Sequence, residues 1–314
     1  MLIKILSILA LIALFFIISQ SADLIVLHLR QLGEKLGVKV FFLGLVLGIM
    51  TSLPEMAIGI NSIISDIPSI SFGNMVGGNI VLFGLVLAIS IILHRKIKTK
   101  KETYPFLIVL LFLFFPLLLG LKGSLNFFDG LIIILAYVLL IIFLFHKNKE
   151  NNNTKVKIIK RKSTQKHFFF ILIGVIGLII SSELIVQTTK FILKDYNISL
   201  FVFGLILYSI GTNLPELIIA LRSFKRKMGD LSFSNLLGSA MSNSLMLGIL
   251  STMKTINIEI DLAYWFLIIF TFIFFIILYI FYKTDQFLSR KEGIFLLVMY
   301  LIFLSGQIFI QIKY

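Results

Sequence analysis

The chain has 314 residues, of which 59% are hydrophobic and 14% charged, with a mean hydropathy of +1.05. That is far too apolar for a soluble globular domain, and the absence of cysteine excludes disulfides and thiolate metal centres. The net charge of +14 invites a nucleic-acid partner, but the basic residues lie between apolar runs rather than in one tract, so no nucleic acid is expected.

Ten apolar runs near 20 residues long predict an all-α polytopic membrane protein of ten transmembrane helices. They cover about 2–28, 40–64, 69–93, 104–121, 127–145, 168–191, 200–221, 231–252, 262–281 and 294–312. The first opens with Lys4 and ends near Ser19–Ala22, as a signal peptide does, but its apolar stretch is long for one. It also carries Asp23-Leu24-Ile25-Val26. The second contains Thr51-Ser52-Leu53-Pro54-Glu55, and the third Phe72-Gly73-Asn74-Met75-Val76-Gly77-Gly78-Asn79. The fourth and fifth, like the ninth and tenth, are Phe/Leu/Ile-rich and read as lipid-facing scaffold, with Pro116 a simple kink. His28, His94, His146 and His167 close apolar runs and read as interfacial residues, not metal ligands.

The sixth run carries Glu183-Leu184-Ile185-Val186, the seventh Gly211-Thr212-Asn213-Leu214-Pro215-Glu216, and the eighth Phe233-Ser234-Asn235-Leu236-Leu237-Gly238-Ser239. Asp23 thus recurs as Glu183, Gly44 as Gly204, Glu55 as Glu216 and Asn74 as Asn235, at a separation constant to within a single position. The chain therefore divides into a five-helix unit at 1–146, a basic linker at 147–166 and a second five-helix unit at 167–314. An odd number of crossings inverts the second copy relative to the first, an arrangement common among secondary transporters. The repeat also requires the first run to be retained.

The connections after the first, third, fifth, seventh and ninth runs carry 3, 5, 8, 4 and 3 of the 29 lysines and arginines. This bias places those loops in the cytoplasm and both termini outside, in a multi-pass protein of the cell membrane. The linker reads as a solvated cytoplasmic loop.

The two Pro-Glu strings carry the chemistry. A carboxylate in the middle of a membrane span costs about 2.5–3.5 kcal/mol on insertion scales, so it faces a cavity or a partner and marks function. Pro54 and Pro215 lack an N–H and so free the carbonyls of Met50 and Gly211. Thr51 and Glu55 are four apart, as are Thr212 and Glu216, and share a helix face; Ser52 and Asn213 lie near it. Carbonyl, hydroxyl and carboxylate oxygens are the ligands of hard cations.

The paired TSLPE and GTNLPE strings, each followed some twenty residues later by an N-x-x-G-G/S element, resemble the alpha-repeats of the cation/Ca²⁺ antiporter superfamily. The short prokaryotic sodium/calcium exchangers are the nearest match, over nearly the whole chain. The resemblance implies two inverted repeats with broken helices around a central ion site. It further implies Ca²⁺ binding by Glu55, Glu216, Thr51 and Thr212, and flanking Na⁺ sites drawing on the backbone carbonyls of Gly48 and Ser209 and on Ser239. Ser52, Asn213 and Asn243 fall at the same cluster of positions. The chain departs from the pattern at Gly78, which replaces a serine, and at Met50, which replaces a glycine. It departs again at Leu82 and Asn243, which stand equally far beyond the two glutamates, where polar or acidic ligands are usual.

The expected function is exchange of Ca²⁺ for Na⁺ by alternating access. Proton-coupled exchange with altered stoichiometry is the second expectation, and a cation-binding sensor that does not transport is a third. No catalytic residue and no cofactor are expected, only the transported ions in the lipid bilayer, and no protein partner is called for beyond a monomer.

Overall fold

The computed structural model describes residues 2–35, 50–99, 103–147, 164–194, 198–225, 229–284 and 287–313. The helices are α1 (Leu2–Lys35), α2 (Leu53–Ile64), α3 (Ser69–His94), α4 (Tyr104–Gly120), α5 (Phe127–Lys147), α6 (Thr164–Leu193), α7 (Leu200–Thr212), α8 (Leu214–Lys225), α9 (Gly229–Met253), α10 (Leu262–Lys283) and α11 (Arg290–Lys313). Seven of them, α1, α3, α5, α6, α9, α10 and α11, are long and apolar enough to cross a membrane. The shorter apolar helices include α2 and α7, which end or begin at the Pro-Glu strings, and α4. Pro116 lies inside α4 close to its end, and the helix runs through it unbroken.

The burial pattern of α1 shows why it is a helix and which way it faces. Leu11, Phe15, Ile18, Ala22 and Ile25 recur at spacings of three and four and are buried, while Leu9, Ile12, Phe16 and Leu27 are exposed. In a chain that spans a membrane, that exposed apolar face is the lipid-facing one. The partner of the buried face is α6, through Leu178, Ile185, Val186 and Ile192. The two helices run antiparallel and close together because Gly174 and Gly177 bring no side chain to the contact. A Cβ on Gly174 would lie 2.8 Å from the Ser21 carbonyl oxygen, and one on Gly177 would strike the Ser21 hydroxyl. At the far end His28 and His167 meet, Nδ1 to Nδ1 at 3.0 Å.

The remaining long helices enclose a second, larger apolar cluster, with α3 at its middle; among the described residues Ile70–Gly84 is continuously buried. Crossing α3 is α7, and the contact is made of glycines. Cβ atoms on Gly73, Gly77 and Gly204 would fall 2.2–2.4 Å from the carbonyl oxygens of Phe201, Leu205 and Ile70. Both helices carry a π-helical turn, Leu82–Leu87 in α3 and Gly204–Tyr208 in α7.

The described residues are all-α as expected, with only short strands between the helices. Four short strands pair in two antiparallel ladders: β1 (Lys96–Lys98) with β4 (Phe287–Ser289), and β2 (Ser124–Leu125) with β3 (Ile256–Asn257). In the first ladder Ile97 and Leu288 are partners, both fully buried, while Lys96 is exposed, so alternation of period two seals the bundle end with one apolar pair. Two helices also run further into the basic connections than their apolar runs: α1 to Lys35, and α6 from Thr164. His94 and His146 lie in the last turns of α3 and α5 and turn Nδ1 to the carbonyls of Ser90 and Ile142, four residues back, whereas His28 lies two turns inside the end of α1.

Candidate ion-binding site

Both Pro-Glu strings break a helix in the same way. Ser52 precedes α2 with φ −92° and ψ 17°, and Asn213 separates α7 from α8 with φ −90° and ψ 12°. Each proline then sits in the first turn of a new helix, where its missing N–H costs nothing. Each glutamate follows it in that first turn. The N-terminal end of a helix favours a negative charge, so the break that frees backbone carbonyls also steadies the carboxylate beside them.

Glu55 and Glu216 are 1% and 2% exposed and near enough for their charges to act on one another. Oxygens of the other expected residues surround them in two groups. Beside Glu216, the Ser239 hydroxyl donates to Oε1 at 3.3 Å, and Thr51 Oγ1 lies 3.2 Å from Ser239 Oγ. Beside Glu55 stands the Thr212 hydroxyl, which also donates to Asn74 Oδ1 at 3.1 Å. The Asn213 amide donates to the Ser209 carbonyl at 2.8 Å, and the Ser52 hydroxyl donates to Asn243 Oδ1 at 3.2 Å. Nine of the ten residues expected from the sequence, Thr51, Ser52, Glu55, Ser209, Thr212, Asn213, Glu216, Ser239 and Asn243, are thus joined in this region. Gly48 lies outside the described residues.

Three buried acceptors here have no hydrogen-bond partner among the described residues: Glu55 Oε2, Glu216 Oε2 and Asn213 Oδ1. A buried acceptor left unpaired costs about 1–3 kcal/mol, and more when charged. Two carboxylate oxygens in that condition suit a positive ion or a proton. Among the described residues no third carboxylate or imidazole joins them, so the donor set is two carboxylates with neutral oxygens, suited to hard cations.

Sequence reasoning missed the part played by Asn74, which receives the Thr212 hydroxyl while its own Nδ2 stays unpartnered. Its signal was the repeat of Asn74 as Asn235. Leu82 is fully buried and belongs to the large apolar cluster, consistent with the loss of a polar group there. Asp23 is half-buried on α1, within electrostatic range of Glu216; Glu183 is exposed on α6.

The profile of the family described as "Sodium/calcium exchanger protein" matches residues 6–146 and 166–309. The chain is 29% identical over 291 residues to the uncharacterized membrane protein MJ0091 of Methanocaldococcus jannaschii, covering 91% of this chain and 93% of that one. It is 29% identical over 338 residues to the sodium/calcium exchanger MaX1 of Methanosarcina acetivorans, covering 94% and 96%. Among solved structures it resembles the sodium-calcium exchanger NCX_Mj, soaked with Na⁺ and Ca²⁺, at 27% identity and a TM-score of 0.64, over 96% of this chain and 98% of that one. It also shares the fold of an H⁺/Ca²⁺ exchanger, CAX, with a TM-score of 0.73 at 14% identity, over 96% and 86%.

Proposed function

The chain belongs to the sodium/calcium exchanger family, membrane transporters rather than enzymes, and from that premise we propose that it exchanges Ca²⁺ for Na⁺ by alternating access at the Glu55–Glu216 centre. The observation that carries this reading is the pair of buried carboxylates, each with an oxygen free to meet a cation. Two carboxylates balance one Ca²⁺, two Na⁺ or two protons, and leaving them unbalanced in a low-dielectric interior is prohibitive.

In this reading ten helices cross the membrane as two inverted repeats, 1–146 and 167–314, joined by a cytoplasmic linker at 147–166. The odd connections lie in the cytoplasm of a cell-membrane protein, and both termini lie outside. Several features support it. The breaks at Ser52 and Asn213 fall at equivalent positions of the two units and are nearly identical in dihedral angles. The ladders β1–β4 and β2–β3 exchange under the repeat, since β1 and β3 follow the third helix of each unit and β2 and β4 the fourth. The ladders, the His28–His167 contact and the Asp66–Lys254 ion pair each join ends that alternate crossing puts on the same side.

Proton-coupled exchange is the second reading. Gly78 and Leu82 leave fewer oxygens for Na⁺, while the two carboxylates alone suffice for two protons. Radioactive Ca²⁺ uptake into proteoliposomes separates the readings, with an outward Na⁺ gradient in one arm and an outward proton gradient without Na⁺ in the other. Na⁺-driven uptake that disappears in Glu55→Gln and Glu216→Gln, in protein that still elutes and melts as a folded species, is the expected result. Wild-type uptake rates in both variants would refute the site.

A further inference from the structure

The two oxygen groups beside the carboxylates are related by the repeat but are not alike. On the Glu216 side Thr51 and Ser239 offer hydroxyls. A hydroxyl both donates and accepts, so it turns a lone pair toward a cation by rotating about one bond. On the Glu55 side the counterpart of Ser239 under the repeat is Gly78. The space its side chain would take is already filled. A Cβ there would lie 2.8 Å from Asn243 Nδ2 and 3.1 Å from Asn213 Nδ2.

The Asn213 amide nitrogen borders the space beside Gly78. It donates to the Ser209 carbonyl at 2.8 Å and, more weakly, to the Thr212 hydroxyl at 3.5 Å. An amide NH₂ has two donors and no lone pair to give, so among acceptors it takes the place of a small positive charge. The reverse orientation would press Oδ1 against the Ser209 carbonyl, acceptor against acceptor, so Ser209 fixes which way the amide points. Its repeat counterpart, Ser52, is too short to do the same and donates instead to Asn243 Oδ1.

We propose that Asn213, with the space left by Gly78, is a specificity-determining residue that closes the Glu55-side group to monovalent cations, so that exchange is electroneutral. One divalent ion balances the two carboxylates in one half of the cycle. Two monovalent charges balance them in the other: one beside Glu216 and one shared with Glu55. A third would need the position the Asn213 amide holds. This rests on the exchange reading above and assigns its charge stoichiometry.

The test is Ca²⁺ accumulation by proteoliposomes under the driving gradient, with membrane potentials of either sign imposed by K⁺ and valinomycin. One net charge per cycle would change the equilibrium accumulation ratio about 50-fold per 100 mV. The wild-type ratio should stay within about twofold, and the double variant Asn213→Ser/Gly78→Ser should become potential-sensitive. A wild-type ratio that follows the potential overturns the proposal while leaving Ca²⁺ exchange standing. A folded, transporting double variant that stays insensitive overturns the role of Asn213. No uptake under any gradient sinks the exchange reading, and the proposal with it.

Discussion

Gly77→Ala tests whether the glycine crossing of α3 and α7 sets the geometry of the site. The added Cβ would lie 2.4 Å from the Leu205 carbonyl oxygen, 3.0 Å from Leu205 Cα and 3.0 Å from Ser209 Cβ. Ordinary contact begins near 3.4 Å, and the obstacle is backbone, so the helices must part by about 1 Å. The Thr212–Asn74 hydrogen bond spans the same crossing at 3.1 Å, and opening it by that much takes it beyond hydrogen-bonding reach. Overpacking costs about 1–3 kcal/mol and the lost bond about 1 kcal/mol, against a gain near 1 kcal/mol for alanine in a helix. The net cost is about 1–3 kcal/mol, read as a melting temperature several degrees lower in detergent. Because binding constellations tolerate only about 0.5 Å of displacement, uptake should fall about tenfold or more. A Gly77→Ala protein with wild-type melting and wild-type uptake would refute the reasoning.

Two further perturbations separate stability from transport. Asp129 accepts from Lys122 Nζ at 2.6 Å and from the Asn126 N–H at 2.7 Å, while Asn126 Oδ1 receives the N–H groups of Phe128 and Asp129, a reciprocal cap at the start of α5. Asp129→Ala should cost about 1–2 kcal/mol in thermal unfolding and leave the Ca²⁺ dependence of uptake unchanged. At the connection between α2 and α3, the Lys254 ammonium holds the Asp66 carboxyl below the usual carboxylate range. A depressed folded value means the pair stabilises above the ordinary carboxylate range and loses that contribution as pH falls through the folded value. The melting difference between wild type and Asp66→Asn should therefore be flat from pH 5 to 8, begin to fall only below about pH 4, disappear once the pH is under the folded value, and shrink with salt because the pair is exposed. A difference that grows on acidification would contradict the pairing.

The helix breaks were legible because proline acts locally: Pro54 and Pro215 fix where a helix must restart, and the glutamates follow in sequence. What depends on one helix crossing another was not. Asn74 meets Thr212 because three glycines allow α3 and α7 to touch backbone to backbone, and no spacing within either segment specifies that contact. The strands escaped for a related reason. Lys96-Ile97-Lys98 reads as a solvated basic connection until Leu288, from the other half of the chain, covers Ile97. Gly78 was read as a hydroxyl removed, since a sequence shows which atoms are missing and not which neighbours fill the space.

The site also lies where two apolar clusters meet. The smaller one holds α1 and α6 against Ile58 of α2 and Tyr208 of α7. Tyr208 is tied to that cluster from both sides: its hydroxyl lies 2.7 Å from Thr189 Oγ1 on α6, and its ring meets Phe15 of α1 edge-on at 5.4 Å. One turn further along α7, the Phe15 ring covers Gly211, where a Cβ would lie 2.5 Å from the ring. Gly211 is the residue before Thr212, which faces Glu55. A shift of the α1–α6 pair along the bundle must therefore move Phe15 off Gly211 or carry the end of α7 with it. Either way the oxygens beside Glu55 feel the shift through contact. Those beside Glu216 come from Ser239 on α9 and from Thr51, two residues before Leu53, which packs against the same cluster, and Asn61 of α2 donates to Ser182 of α6 at 2.8 Å, so the α1–α6 pair bears on both groups of oxygens.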